Sequence, residues 1–78
     1  MKSSDIPTIE VLKCVNKPHP SKSMVNVVDV LVKKFNAPEK LIYSVLEREE
    51  RKGNIEFGVS TRYCWLTNKG VQMLIDNQ

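Results

Sequence analysis

The chain has 78 residues, of which 41% are hydrophobic and 27% are charged. This length and composition are typical of one small folded domain, and they exclude a multidomain enzyme, a long coiled coil and a low-complexity protein. No apolar run approaches the roughly 20 residues of a membrane-spanning helix, and the start of the chain lacks the apolar stretch of a secretory signal. We therefore expect a single cytoplasmic domain over residues 1–78, frayed at 1–5 and 77–78, with no membrane partner.

The charged residues make the protein weakly basic. Twelve Lys and Arg against nine Asp and Glu give a net charge of +3. The excess lies in residues 1–52, whereas residues 53–78 carry equal numbers of both signs. Because the chain has no polybasic tail, this charge permits nucleic-acid binding without requiring it.

Cysteine and histidine are too sparse to indicate a reactive or metal site. Cys14 and Cys64 are the only cysteines, and small secreted scaffolds usually carry several disulfides, so we expect two partly buried free thiols. Together with His19 they have no recognisable metal-ligand spacing. Since the chain also lacks a nucleophile–base pair and a glycine-rich phosphate loop, we expect no metal, no cofactor and no enzymatic activity.

The first segment with helical periodicity is Pro7–Asn16. Ile9, Leu12 and Val15 recur three residues apart with polar residues between them, which predicts a short amphipathic helix. Proline is compatible with the first turn of a helix. The two prolines within 17–21 should end it.

The next segment, Met24–Phe35, is rich in valine, which individually favours strands. Its polar residues decide for a helix. Asn26, Asp29 and Lys33 lie three and four residues apart, so a helix gathers them on one face, whereas a strand would place the first two on opposite faces. Ser23 is the predicted N-cap.

A third helix should begin at Pro38 and end before Gly53, which suits the position just past a helix C-terminus. Its apolar stripe consists of Leu41, Ile42, Val45 and Leu46. Only Asn36 and Ala37 separate it from the preceding helix, which makes Asn36-Ala37-Pro38 a tight turn. A turn this tight forces two helices to cross steeply, as in a helix-turn-helix.

From Asn54 the period of the pattern changes to two. The runs 55–59 and 62–66 are separated by Ser60-Thr61, which predicts an antiparallel hairpin. Cys64 and Leu66 should then face the core, and Tyr63 and Trp65 the opposite side.

After the hairpin, Thr67 is a predicted N-cap for a closing helix. Val71, Leu74 and Ile75 should supply the buried side of that helix. The sequence therefore predicts an α+β fold that is mainly α, with three helices, a two-stranded hairpin and a C-terminal helix.

Three stretches resemble the winged helix-turn-helix domains of transcription regulators. Residues 30–46 resemble the helix-turn-helix, residues 49–55 the helix end and first wing strand, and residues 63–70 the second wing strand and the Leu-Thr-Asn-Lys-Gly entry to the closing helix. The overall likeness is to MarR-like and PadR-like bacterial repressor domains. It implies a winged-helix regulator of transcription or of a mobile element, which binds double-stranded DNA as a dimer through helix 38–52 and wing 55–66.

The resemblance also implies which side chains face DNA. Those of the third helix are Glu39, Lys40, Tyr43, Ser44 and Glu47, with Arg48 at the margin. Arg62 near the hairpin turn is suited to the minor groove or the backbone, and Lys22 to a phosphate. Such contacts make binding salt-sensitive, with a log–log slope of about −0.9 per neutralised phosphate.

Acidic residues on the third helix support an alternative function. Four acidic side chains of this helix should repel DNA phosphates, so useful DNA affinity should need dimerisation. These side chains are Glu39, Glu47, Glu49 and Glu50. Glu49 also stands where the family has an apolar residue, so we expect looser packing at that end. The alternative is a winged-helix module that binds a protein through the acidic third helix and the exposed aromatic residues. Tyr63 and Trp65 either cover the edge of the sheet or form a dimer or partner interface.

Overall fold

The protein is a mainly helical α+β fold, as predicted. The computed structural model describes residues 2–16, 26–58 and 63–77. A 3-10 turn at Ser3–Asp5 precedes six elements, which are α1 (Thr8–Val15), α2 (Val27–Phe35), α3 (Glu39–Arg51), β1 (Ile55–Phe57), β2 (Cys64–Leu66) and α4 (Asn68–Asp76). This order of helices and hairpin is compatible with a winged helix.

The amino-terminal segment and α1 cover one side of the core. Val11, Leu12 and Val15 are buried, and Ile6 ahead of the helix is only 1% exposed. Pro7 is the N-cap rather than a first-turn residue. The helix ends at Val15, and Asn16 after it adopts a left-handed conformation. The prolines of 17–21, predicted to end the helix, lie outside the described residues.

The valine-rich segment is a helix, which confirms the polar-spacing argument. Asn26, not Ser23, caps α2, since its side-chain oxygen accepts hydrogen bonds from the amides of Val28 at 3.1 Å and Asp29 at 3.4 Å. Ser23 lies outside the described residues. Asp29 and Lys33 are exposed on the predicted polar face.

The corner between α2 and α3 is built by three residues. Asn36 takes a left-handed conformation with φ of 50°, which Asn tolerates better than most residues. Ala37 is buried, and its amide donates to the carbonyl of Val32 at 3.2 Å. Pro38 is the N-cap of α3 rather than its first residue. The corner brings α3 directly against α2.

One face of α3 enters the core through Ile42, Val45 and Leu46, all fully buried. Gly53 follows the helix with φ of 81°, as predicted for a residue just past the C-terminus.

The hairpin is antiparallel, with Ile55 opposite Leu66 and Glu56 opposite Trp65. Side chains alternate as predicted, because Cys64 and Leu66 are buried while Glu56 is exposed and Trp65 half-buried. The predicted turn at residues 60–61 lies outside the described residues.

The closing helix, α4, starts at the predicted cap, where the Thr67 hydroxyl accepts from the amide of Gly70 at 3.1 Å. Gly70 meets the backbone so closely that a Cβ there would lie 2.1 Å from the carbonyl oxygen of Asn54. The predicted burial of Ile75 is wrong, since this side chain is 56% exposed. At about 100° per residue, Ile75 lies about 140° around the axis from Gly70, while Leu74 stays near it.

None of the described helices has the length and apolarity that crossing a bilayer requires.

Candidate functional site

The leading half of α3 is the element that the sequence assigns to DNA. Lys40, Ser44 and Glu47 are exposed, and their spacing of four and three residues places them on one stripe of the helix. Glu39 is exposed at the first turn, and Tyr43 is half-buried against the core. The structure therefore places these five predicted side chains on α3, four of them exposed.

Ser44 is partly engaged within its own helix. Its hydroxyl donates to the carbonyl of Lys40 at 3.3 Å, one turn earlier. A hydroxyl that donates in this way still accepts hydrogen bonds with its lone pairs. Pro38, Lys40, Leu41 and Ser44 border a shallow depression on this surface.

The exposed surface of α3 carries no positive excess. Along the helix the exposed charged residues are Glu39, Lys40, Glu47, Glu50 and Arg51, which are three acidic groups against two basic ones. Positive potential on the exposed surface of α3 therefore depends on Lys40 and Arg51.

Arg48 is placed differently from its predicted role at the margin of the DNA surface. Its guanidinium donates to the carbonyls of Ser3 at 2.6 Å and Ile6 at 2.8 Å, and to the carboxylate of Glu49 at 2.8 Å. The side chain is only 20% exposed. Arg48 thus holds the amino-terminal segment, including the turn at Ser3–Asp5, and its guanidinium is engaged within the protein.

The prediction of looser packing around Glu49 was wrong. Instead of loosening the end of α3, Glu49 is fully buried and accepts hydrogen bonds at both oxygens. Oε2 accepts from Thr8 and Arg48, and Oε1 accepts from the amide of Asn54, all at 2.8 Å. We call Thr8, Arg48, Glu49 and Asn54 the carboxylate hub.

The hub keeps Glu49 ionised. Burial alone would raise the pKa of this carboxyl group, but hydrogen bonds from Asn54, Thr8 and Arg48, together with the arginine charge, outweigh burial and lower its pKa. One sequence signal could have found the site. Glu49 lies seven residues after Ile42, on the apolar stripe of the helix, where a charge is buried and needs partners.

The outer face of the hairpin meets the end of α3. Trp65 lies opposite Glu56 in the ladder. Its ring lies 3.8 Å from the point that a Cβ would occupy if Gly58 carried a side chain. Glu50, Glu56, Phe57, Gly58 and Trp65 line an open groove of about 460 Å³, which we call the hairpin groove. Tyr63, predicted to share the outer face, is 42% exposed.

Lys22 and Arg62, the remaining predicted DNA contacts, lie outside the described residues. Both thiols are free, Cys14 half-buried and Cys64 fully buried. Within residues 2–16, 26–58 and 63–77, no three His, Cys, Asp or Glu side chains are grouped so that they could hold a metal ion.

Comparisons with protein-family models, curated proteins and solved structures find no match to this chain. The geometry of α3 and the hairpin is therefore the basis for inferring a function.

Proposed function

We propose that this chain is a winged-helix protein that binds duplex DNA through the leading half of α3, with the β1–β2 hairpin as its wing. The observation that carries the proposal is the corner at residues 36–38, where the buried Ala37 turns the chain and leaves Lys40 and Ser44 exposed on the next helix. In a helix-turn-helix, the helix after the turn enters the major groove with its amino-terminal residues toward the bases.

The exposed residues have distinct roles in this proposal. Lys40 contacts a phosphate or a guanine, and Ser44 accepts or donates at a base edge or phosphate. Tyr43 packs on a thymine methyl group or binds a phosphate. Glu47 accepts from the amino group of cytosine. Arg62 and Lys22, assigned from the sequence, add contacts to the backbone.

Few cations take part, so one copy of the protein binds weakly. Non-specific affinities of small DNA-binding proteins are about 10⁻⁴–10⁻⁶ M at physiological salt, and each phosphate contact adds to them. A homodimer doubles the number of contacts. We therefore propose that the DNA-binding form is a dimer acting as a regulator of transcription or of a mobile element.

The experiment is a fluorescence-anisotropy titration of labelled duplex DNA at several salt concentrations from about 50 to 200 mM. Lys40→Gln removes one phosphate contact, so the slope of log affinity against log salt should become less negative by about 0.9. Lys13→Gln is the matched control because Lys13 is exposed on α1, away from the proposed surface.

Two results would contradict the proposal. Absence of binding to mixed duplex fragments at the lowest salt would remove DNA as the ligand. An equal loss of slope in Lys13→Gln and Lys40→Gln would show that binding follows total charge rather than the surface of α3.

A second candidate function, a protein-binding module, is favoured by the excess of acidic over basic groups on the exposed surface of α3. A phosphate backbone gains little from such a surface, whereas a basic protein gains more. Loss of a protein partner on Glu47→Gln, with no duplex binding at low salt, would support this function over DNA binding.

A further inference from the structure

Two neighbouring side chains in the leading half of α3 present an apolar surface beside a hydroxyl group. Leu41 is half-buried and Ser44 is exposed, and both border the shallow depression next to Pro38 and Lys40. Residues three apart on a helix are neighbours, with their Cβ atoms about 5–6 Å apart. A ligand that lies on this face of α3 therefore meets the leucine and the hydroxyl together.

The hydrogen bond that Ser44 makes within its helix limits what its hydroxyl can bind. A serine hydroxyl has one proton and two lone pairs. The proton of Ser44 is donated to the carbonyl oxygen of Lys40 at 3.3 Å, so toward a ligand the hydroxyl acts as an acceptor. Phosphate oxygens are acceptors too, and so they do not complement it. The donors in the major groove of duplex DNA are the amino groups of adenine and cytosine.

Leu41 distinguishes between these two bases. An A·T pair presents the C5-methyl group of thymine in the same groove as the adenine amino group, whereas a C·G pair presents no methyl group there. An apolar side chain gains free energy when it removes a methyl group from water. An acceptor next to a leucine therefore favours an A·T pair over a C·G pair.

We propose that Ser44 and Leu41 together recognise one A·T base pair in the major groove. Ser44 accepts from the adenine amino group, and Leu41 packs on the thymine methyl group. This inference rests on the proposed binding of duplex DNA by α3. It narrows Ser44 to a base contact and leaves the phosphate to Lys40, whose exposed ammonium group only donates.

The experiment starts from the duplex that the full chain selects from a random-sequence library at about 50 mM salt. The selected site should contain a fixed A·T pair. At each such pair, deoxyuridine in place of thymine removes only the methyl group, and 2-aminopurine in place of adenine takes the amino group out of the major groove. In anisotropy titrations, affinity should fall roughly fourfold with deoxyuridine and roughly threefold to tenfold with 2-aminopurine.

Two variants assign each base group to its side chain. Leu41→Ala should lose the sensitivity to deoxyuridine and keep that to 2-aminopurine, and Ser44→Ala should show the reverse. The matched control is Ile75→Ala, which truncates an exposed apolar side chain on α4 and should keep both sensitivities. Thermal melts check that each variant is folded, and the modified duplexes test the wild-type protein without any variant.

Four outcomes would overturn the proposal. A selected site without a fixed A·T pair, or modified bases that leave affinity unchanged, would refute the A·T contact. The DNA-binding proposal would survive that result if Lys40→Gln still made the salt slope less negative. Sensitivities that persist in Leu41→Ala and Ser44→Ala would assign the base pair to other side chains.

The third outcome is a fixed C·G pair whose methylation at C5 of cytosine strengthens binding. Methylated cytosine presents an amino and a methyl group as the A·T pair does, so this result would assign both side chains to it. In the fourth outcome, the chain binds no duplex at low salt, which would refute this proposal and the DNA-binding proposal together.

Discussion

The substitution Glu49→Gln tests whether the carboxylate hub holds the fold together. Glutamine keeps the shape of the side chain but removes its charge and turns one acceptor into a donor. In wild type, both oxygens accept, one from Asn54 and the other from Thr8 and Arg48. In the variant, at least one of these donors must therefore point at the new NH2 group of glutamine instead of at an oxygen.

The size of the expected loss in unfolding free energy depends on the rearrangement that costs the least free energy. Asn54 Oδ1 has no hydrogen-bond partner among the described residues, so a flip of the Asn54 amide lets Gln at position 49 donate to it. The flip moves the Asn54 Nδ2 donor into the unpartnered place, at a cost of about 1–3 kcal/mol. Arg48 also loses its counter-charge but keeps two carbonyl acceptors. We expect a total loss of about 2–4 kcal/mol, below the upper range for breaking a buried pair.

Urea denaturation and thermal melts monitored by circular dichroism measure this loss. A domain of this length has about 4–12 kcal/mol of stability, and 1 kcal/mol shifts the midpoint by about 4–8 °C, so the melting temperature should fall by about 10–25 °C. The matched control is Glu50→Gln, at the neighbouring exposed position, which should change stability by less than about 0.5 kcal/mol. Equal stabilities of the two variants would refute the reasoning.

The same variant should change the pH dependence of stability. Because the pKa of Glu49 is lower in the folded state, its stabilisation is present above the unfolded-state pKa of about 4.3 and is lost as pH falls through the folded-state pKa. The difference in unfolding free energy between wild type and Glu49→Gln should shrink below about pH 4. A difference that stays constant from neutral to strongly acidic pH would contradict an ionised, hydrogen-bonded Glu49.

Three further predictions follow from local geometry. Gly70→Ala should destabilise the protein by at least about 2 kcal/mol in urea denaturation, despite the higher helix propensity of alanine. The new Cβ would collide with the carbonyl oxygen of Asn54. The control is Gly58→Ala, whose Cβ would make only an ordinary contact at 3.8 Å. Alkylation followed by mass spectrometry should label Cys14 before Cys64, since burial raises the pKa of the Cys64 thiol to about 11. Because this pKa is higher in the folded than in the unfolded state, the free energy of unfolding should also fall as pH rises above about 8.5. Asn36→Gly should be nearly neutral in thermal melts and Asn36→Val destabilising by about 1–2 kcal/mol, since only the second substitution adds a β-branched side chain at positive φ. A stable Gly70→Ala, a faster Cys64 or an unaffected Asn36→Val would each disprove the corresponding geometry.

Local periodicity was sufficient to predict the order of the elements. The spacing of Asn26, Asp29 and Lys33 identified α2 despite its valines, because a helix gathers those positions on one face and a strand does not. The alternation from Ile55 identified the hairpin in the same way. These signals lie within a few residues of one another, so the sequence contains them directly.

Helix ends and long-range polar contacts were harder to predict. Ile75 fits an apolar stripe, but the close approach at Gly70 sets which side of α4 faces the core. Glu49 was interpreted as a packing defect because two of its partners, Thr8 and Asn54, belong to other elements, and Thr8 is 41 positions away in the chain. The apolar stripe of α3 predicts that Glu49 is buried, but no local pattern reveals which three donors its carboxylate finds.

The placement of charges limits what the net charge of +3 says about partners. Several cations of the described residues already serve the protein itself: Lys34 pairs with Glu10 at 2.8 Å, Arg48 with Glu49, and Lys69 donates to the carbonyl of Lys52. A cation held by an internal acceptor contributes less to a phosphate, since binding must first release it or share it. The two ends of α3 therefore differ in electrostatic character. The leading end presents Lys40 to solvent, whereas at the trailing end the charges of Arg48 and Glu49 compensate each other inside the hub.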